Sequence, residues 1–242
     1  MIRAIGIDGC RGGWFAVVRQ ADGWRSWLSP TLTQLLDQPA VGTPIFIDIP
    51  IGLPDGQKRR CDHLARRLLS PYRHSSVFST PVRDAVHAAD YASACAINAQ
   101  QTGSRISRQI WNICPKIREV DCYLCQHVEW QTHLYESHPE VAFYALNGQS
   151  LLPTRKKSHE GEQQRLALLT HYINGAQAFY SDCLARYPRK LLQPDDILDA
   201  MVLAVMAGGA EQSEGELISL TDPVEYDRVG LPMRIVYRSF NP

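Results

Sequence analysis

Four places in this chain put a carboxylate where packing alone gives no reason for one. Asp8 ends the apolar run "RAIGID" and is followed by "GCRGG", a turn of glycines and one arginine. Asp48 stands inside "IFIDIPIG", Glu140 follows His138-Pro139, and Asp195, Asp196 and Asp199 open the apolar stretch "DDILDAMVLAV". With Asp196 in the first turn of a helix, Asp199 lies three residues on and shares its face. Two like charges about 4 Å apart repel by about 4 kcal/mol at an effective dielectric of 20. A cation must offset that. Hard oxygen ligands with no matching cysteine or histidine set point to Mg²⁺ or Mn²⁺, and a pair of such ions can activate water and stabilise the leaving oxygen in phosphodiester cleavage.

Each of these residues also has a structural reading. Asp195 suits the first turn of a helix, where an acid complements the dipole. Asp48 would be buried in its strand unless the strand end opens to solvent, which favours a functional role. His138 can serve as ligand or base, or as a hydrogen-bonder at a strand break. The basic runs "QKRR" (57–60), "ARR" (65–67) and "RKK" (155–157) inform on phosphate binding only if they cluster beside the acids. Cys122 and Cys125 form a lone CxxC with no second pair at zinc spacing, so two cysteines on a helix is the simpler account.

The elements that must position these groups follow from periodicity. Residues 3–8, 13–20 and 24–30 read as three strands joined by a glycine turn and by "ADG", an antiparallel meander. "TLTQLLDQ" has Leu32, Leu35 and Leu36 at helical spacing behind a threonine cap, and "PIFIDIPIGLP" is an apolar run of strand length. A buried strand reached through a helix implies parallel pairing with the meander. Residues 57–116 become helical and polar, an insertion over the sheet. "IREVDCYLCQHV" continues the helical pattern, "YESHPEVAFYALNG" (135–148) reads as a strand broken at His138-Pro139, and "EGEQQRLALLTHYI" is an amphipathic helix. "QPDDILDAMVLAVMAGGA" then has the proline and acids of a helix start followed by an apolar body. The segment "YDRVGLPMRIVYRS" gives no clear pattern. The expected architecture is α/β, one domain over 1–242 with a helical insertion. In such sheets functional groups gather at the carboxyl ends of parallel strands, where Asp8 and Asp48 both lie.

The totals exclude some classes. Lysine plus arginine equals aspartate plus glutamate, at 25 each, so bulk charge names no partner. No apolar run reaches the roughly 18 residues of a membrane span, and no basic-then-apolar leader opens the chain. A soluble, cytoplasmic protein is expected, with its seven cysteines reduced. Its oligomeric state is open, a homodimer included.

Seven motifs in order, "GIDGCRGGW", "FIDIPIGLP", "RRCDHLAR", "PKIREVD", "ESHPEVAF", "KKSHEGEQQR" and "DDILDA", give the chain from Ile5 to Gly208 a specific resemblance. It resembles the predicted RNase H-like nucleases known as domain of unknown function 429. That resemblance implies an RNase H-like fold, with a mixed five-stranded sheet, and a metal-dependent nuclease acting on nucleic acid. It implies Asp8 bridging two metal ions, Asp48 holding one, and Asp196 or Asp199 completing the site, with Glu140 as an added ligand. Lys116, Glu119, Lys157 and Arg165 occupy motif positions, as does Arg59, and the cations among them would contact phosphate. Arg11 would add a contact from the glycine turn, where the missing Cβ lets backbone, metal and phosphate approach. Two other readings remain. One is a non-catalytic nucleic-acid-binding or interaction module of the same fold. The other is a relative of the actin-like ATPases and sugar kinases, suggested by "DGCRGG" and by "AGGA" at 207–210, although those enzymes use two such lobes.

Overall fold

Ile2–Cys10 forms β1, a strand buried over most of its length, and the elements around it follow from short turns. In this computed structural model, which describes residues 1–208 and 215–240, β2 (Gly13–Gln20) and β3 (Gly23–Ser29) complete the meander. Next come α1 (Leu32–Leu36), β4 (Ile45–Ile47), α2 (Arg60–Leu68), α3 (Arg83–Val86), α4 (Tyr91–Thr102) and α5 (Arg108–Gln126). β5 (Leu134–Glu136), α6 (Pro139–Leu146), α7 (His159–Leu169), α8 (Ala176–Arg186) and α9 (Pro194–Gly208) follow. The short strands β6 (Glu216–Ser219), β7 (Glu225–Tyr226), β8 (Pro232–Met233) and β9 (Val236–Ser239) complete the described chain. Gly209 and Ala210 of the "AGGA" motif lie outside the described residues.

Two compact units divide these elements. The first takes the described residues of Met1–Asp48, Thr132–Ile218 and Val236–Pro242. Its sheet has the order β3-β2-β1-β4-β5. β1 pairs antiparallel with β2, and β2 with β3, across two-residue turns that close at Cys10–Gly13 and Gln20–Gly23. β4 lies parallel to β1, as the route through α1 requires, and β5 lies parallel to β4. The result is a mixed five-stranded sheet flanked by helices.

One helix dominates the core of this unit. α9 is buried continuously from Ile197 to Ala207 and packs on β1 and β2, with α6, α7 and α8 also against it. Its small residues decide how close it comes. A Cβ on Gly6 of β1 would fall on the backbone of Ala200, Leu203 and Ala204, closer than van der Waals radii allow. On Gly208 it would approach Ala4 Cβ at 2.9 Å, so α9 runs antiparallel to β1.

The segment 135–148 departs from the strand expected of it. β5 stops at Glu136, and Pro139 opens α6 as its first residue behind the His138 cap. Proline's fixed φ suits a helix start, and no backbone N–H is needed there. Glu140 thereby sits in a first helical turn.

The second unit, Ile49–Gln131 with Ser219–Ile235, is wider than the insertion expected at 57–116. α5 crosses that boundary without a break despite Pro115, because Cys114, Ile117, Val120, Asp121 and Leu124 keep one face buried at helical spacing. The unpatterned stretch near the C-terminus supplies β7 and β8 to this unit. Arg83 of α3 is buried between Asp121 of α5 and Asp227, whose carboxylate also accepts the N–H groups of Leu53, Val229 and Leu231. That hub ties four separate segments of the unit together.

Gly6→Ala tests the close packing in the first unit. The variant is expected to lose about 3 kcal/mol or more, or to fail to fold, because backbone cannot yield as a side chain does. A denaturant midpoint equal to wild type would show that α9 does not sit on β1 as described.

Candidate functional site

Register brings the acids together. Side chains alternate along a strand, so Ala4, Gly6 and Asp8 share the face of β1 that meets α9. Gly6 lies against the turn from Ala200 to Ala204, and two residues further along β1 the preceding turn of the antiparallel helix carries Asp196 and Asp199. Gly6 pairs with Phe46 in the parallel strand, and the N–H of Asp48 continues the ladder by donating to the Ile7 carbonyl at 3.0 Å. Asp48 therefore emerges beside Asp8 at the carboxyl ends of β1 and β4. Asp8 and Asp199 are buried, Asp48 and Asp196 half-buried.

The electrostatics register that proximity. The Asp8 carboxyl is held well above the usual carboxylate range by burial, with Asp199, Asp48 and Asp196 adding repulsion. Burial likewise raises Asp48, against the opposing pull of His138 and Lys156. It raises Asp196, and it pushes Asp199 up to about 7 even though Lys156 works the other way. Desolvation and like charge both disfavour the ionised acids.

Lys156 stands among them. Its Nζ donates to Asp199 Oδ2 at 2.7 Å and lies 3.6 Å from Asp195 Oδ2. Burial favours the neutral amine, yet Asp199, Asp8 and Asp195 outweigh it and raise the lysine, keeping it charged. The other Asp199 oxygen, Oδ1, is buried with no hydrogen-bond partner. Ser137, one residue past β5, has a buried hydroxyl in the same condition, while its N–H donates to the Ile47 carbonyl at 3.0 Å. Among the described residues, no group of three or more His, Cys, Asp or Glu is arranged to grip a metal ion. The donor chemistry nevertheless fits a hard cation: several carboxylates in mutual repulsion, one buried oxygen with nothing to accept from, and Lys156 as the ammonium bonded to Asp199.

Other expected site residues have other partners. Both oxygens of Glu140 accept from Arg165 Nη2, at 2.7 and 2.8 Å, and both side chains are almost fully buried. Arg165 is not presented to a phosphate here; it neutralises Glu140. Asp196 reaches back to the N–H of Gln193 at 2.9 Å, the capping-box bond of a helix start. His138 Nδ1 accepts the N–H of Glu140 at 3.1 Å, which makes it the cap of α6. Arg11 lies exposed in the β1–β2 turn, and Lys157 is exposed with Nζ 3.6 Å from Asp195. Arg59, Lys116 and Glu119 belong to the second unit. Arg59 is buried there, donating to Asp62 and to the carbonyls of Ile51 and Gly52.

Sequence reasoning passed over Lys156 and Ser137. Lys156 stands next to Lys157 in "RKK" with nothing in spacing to separate an inward lysine from an outward one. Ser137 is a small residue inside a motif whose histidine and glutamate draw more notice. Cys122 and Cys125 lie on a helix, exposed near the end of α5. Among the described residues no helix is long and apolar enough to cross a membrane.

Two measurements follow. Arg165→Met and Glu140→Gln should each cost about 3–5 kcal/mol by leaving a buried charge or donor unmatched, and the double variant should lose clearly less than their sum. Strict additivity in urea titrations would contradict the pairing. The second concerns pH. Burial raises the carboxyls of Asp8, Asp48, Asp196 and Asp199 above the value near 3.9 of an unfolded chain, so folding favours their protonated forms. Stability from this source is complete below about pH 4 and is lost as pH rises toward the Asp199 value of about 7. In chelator the wild type should therefore unfold at lower urea at pH 8 than at pH 5.5, and Asp199→Asn should flatten that slope. A wild type equally stable at both would refute the cluster.

The family model described as "Protein of unknown function (DUF429)" matches residues 6–226, a span that takes in Asp8, Asp48, Lys156 and all three acids of α9. No curated protein and no solved structure gives a match. By that match the chain belongs to the DUF429 family.

Proposed function

We propose that this protein is a metal-dependent nuclease of RNase H-like fold, hydrolysing phosphodiester bonds of nucleic acid. The carrying observation is the convergence of Asp8, Asp48, Asp196 and Asp199 where β1 and β4 end against α9, with Asp199 Oδ1 buried and partnerless. The sheet supports the fold: three antiparallel strands followed by two parallel ones in the order β3-β2-β1-β4-β5, with acids at the strand ends.

Asp8, Asp48 and Asp199 would hold Mg²⁺ or Mn²⁺, which would supply a water nucleophile at neutral pH and neutralise charge at the leaving oxygen. The protein's own part is positioning. β1, β4 and α9 fix the three carboxylates on rigid elements, and the α9 contact at Gly6 leaves them little freedom to separate. Asp196, tied to Gln193, holds the start of α9 and so orients Asp199 one turn in. Arg11 and Lys157, exposed cations of the same unit, would contact phosphates of the substrate backbone. Arg165 acts on Glu140 and supports the site from within.

A non-catalytic nucleic-acid-binding module is the second reading. Lys156 favours it, because an ammonium already on Asp199 balances part of the charge without a metal ion.

A labelled panel of single-stranded, duplex, hybrid and branched nucleic acids, with Mg²⁺ or Mn²⁺, separates the two. The nuclease reading expects metal-dependent cutting by wild type and a loss of at least a hundredfold in Asp8→Asn. Salt-sensitive binding without cutting, unchanged in kind by Asp8→Asn, would favour the module. Cutting by both proteins would indicate a contaminant.

A further inference from the structure

We propose that Lys156 is a tethered counter-ion that gates divalent-metal entry to the carboxylate cluster, bound to Asp199 at rest and displaced when the ion arrives. This rests on the metal reading above and adds a regulation that reading does not require.

Asp199 itself is fixed in a helix that is buried for three turns, and its side chain is only 2% exposed. Lys156 differs in both respects. It lies in the loop before α7, whose cap is Ser158, and its side chain is 35% exposed. A flexible four-carbon stem can carry the ammonium into water without disturbing any helix or strand. The acids cannot make the complementary move.

Charge makes the two cations rivals. Nζ donates to Asp199 Oδ2 at 2.7 Å, and a divalent ion bonded to the same oxygen would stand within a few ångströms of it. At that range like charges repel strongly in a buried site. The lysine also leaves the cluster incompletely matched. It satisfies Oδ2 but not Oδ1, which is buried, belongs to a residue within the cluster and has no partner. One positive charge likewise faces Asp8, Asp195 and Asp199 together. A doubly charged ion would balance that set more completely than the ammonium it replaces. The outgoing Nζ has an acceptor on its way: Asp195, half-buried at the helix start, lies 3.6 Å away and already faces the exposed Lys157.

The test uses the full chain and Mn²⁺ alone, with no nucleic acid. Calorimetric titration should show Lys156→Met binding Mn²⁺ at least tenfold more tightly than wild type. Lys156→Arg, which keeps the charge, should bind no more tightly than wild type, and Asp199→Asn at least tenfold more weakly. In wild type, acylation of the Lys156 amine, read by mass spectrometry, should rise when Mn²⁺ saturates the protein. Mn²⁺ binding by wild type with Lys156→Met no tighter would overturn the gate and leave the metal reading standing. Saturable binding by none of the proteins would overturn both. Should Lys156→Met fail to fold, the acylation experiment decides: reactivity unchanged by saturating Mn²⁺ overturns the gate.

Discussion

The approach of α9 to β1 at Gly6 is the constraint on which the site depends. Only a residue without a Cβ lets the backbone around Ala200 and Ala204 lie on the strand, and that contact sets how far Asp199 stands from Asp8. Continuous burial along α9 supplies the driving force, as the sheet on one side and α6, α7 and α8 on the other remove it from water. Carboxylates that repel one another are held in place by apolar packing that has no other way to close. Part of the stability gained by burying α9 is set against the cost of desolvating four acids.

That opposition explains the neighbouring ion pairs. Glu140 and Arg165 neutralise each other in the interior, so their burial adds little uncompensated charge, although Arg165 Nε is left without a partner. Asp199 and Lys156 form a different arrangement, with one carboxylate oxygen engaged, one not, and a lysine side chain that is partly exposed. Under the proposed function, an ion pair beside other acids, with a carboxylate oxygen left over, suits the exchange of one cation for another.

Much of the fold was legible because short turns and periodicity carry it. "ADG" marked the β2–β3 hairpin, and the helix between the meander and "IFIDIPIG" implied the parallel pairing found for β1 and β4. One failure has a local cause. "YESHPEVAFYALNG" has strand-like composition, but a proline at a helix N1 position outweighs it once His138 caps the turn. At the site, Asp8 was legible as a carboxylate ending an apolar run and Asp48 as one inside such a run. The partners of Glu140 and Arg165 were not, because 25 residues separate them and spacing says nothing about contact. Lys156 was hidden for the same reason, since its distance from Asp199 is fixed by tertiary packing.

The most direct test of the account is anomalous scattering from crystals of the wild-type protein equilibrated with Mn²⁺. The account predicts a Mn²⁺ peak bonded to carboxylate oxygens of Asp8 and Asp199, with Lys156 Nζ moved away from Asp199. A map with no such peak, and Nζ still bonded to Asp199, would contradict the claim that this cluster is a divalent-metal site.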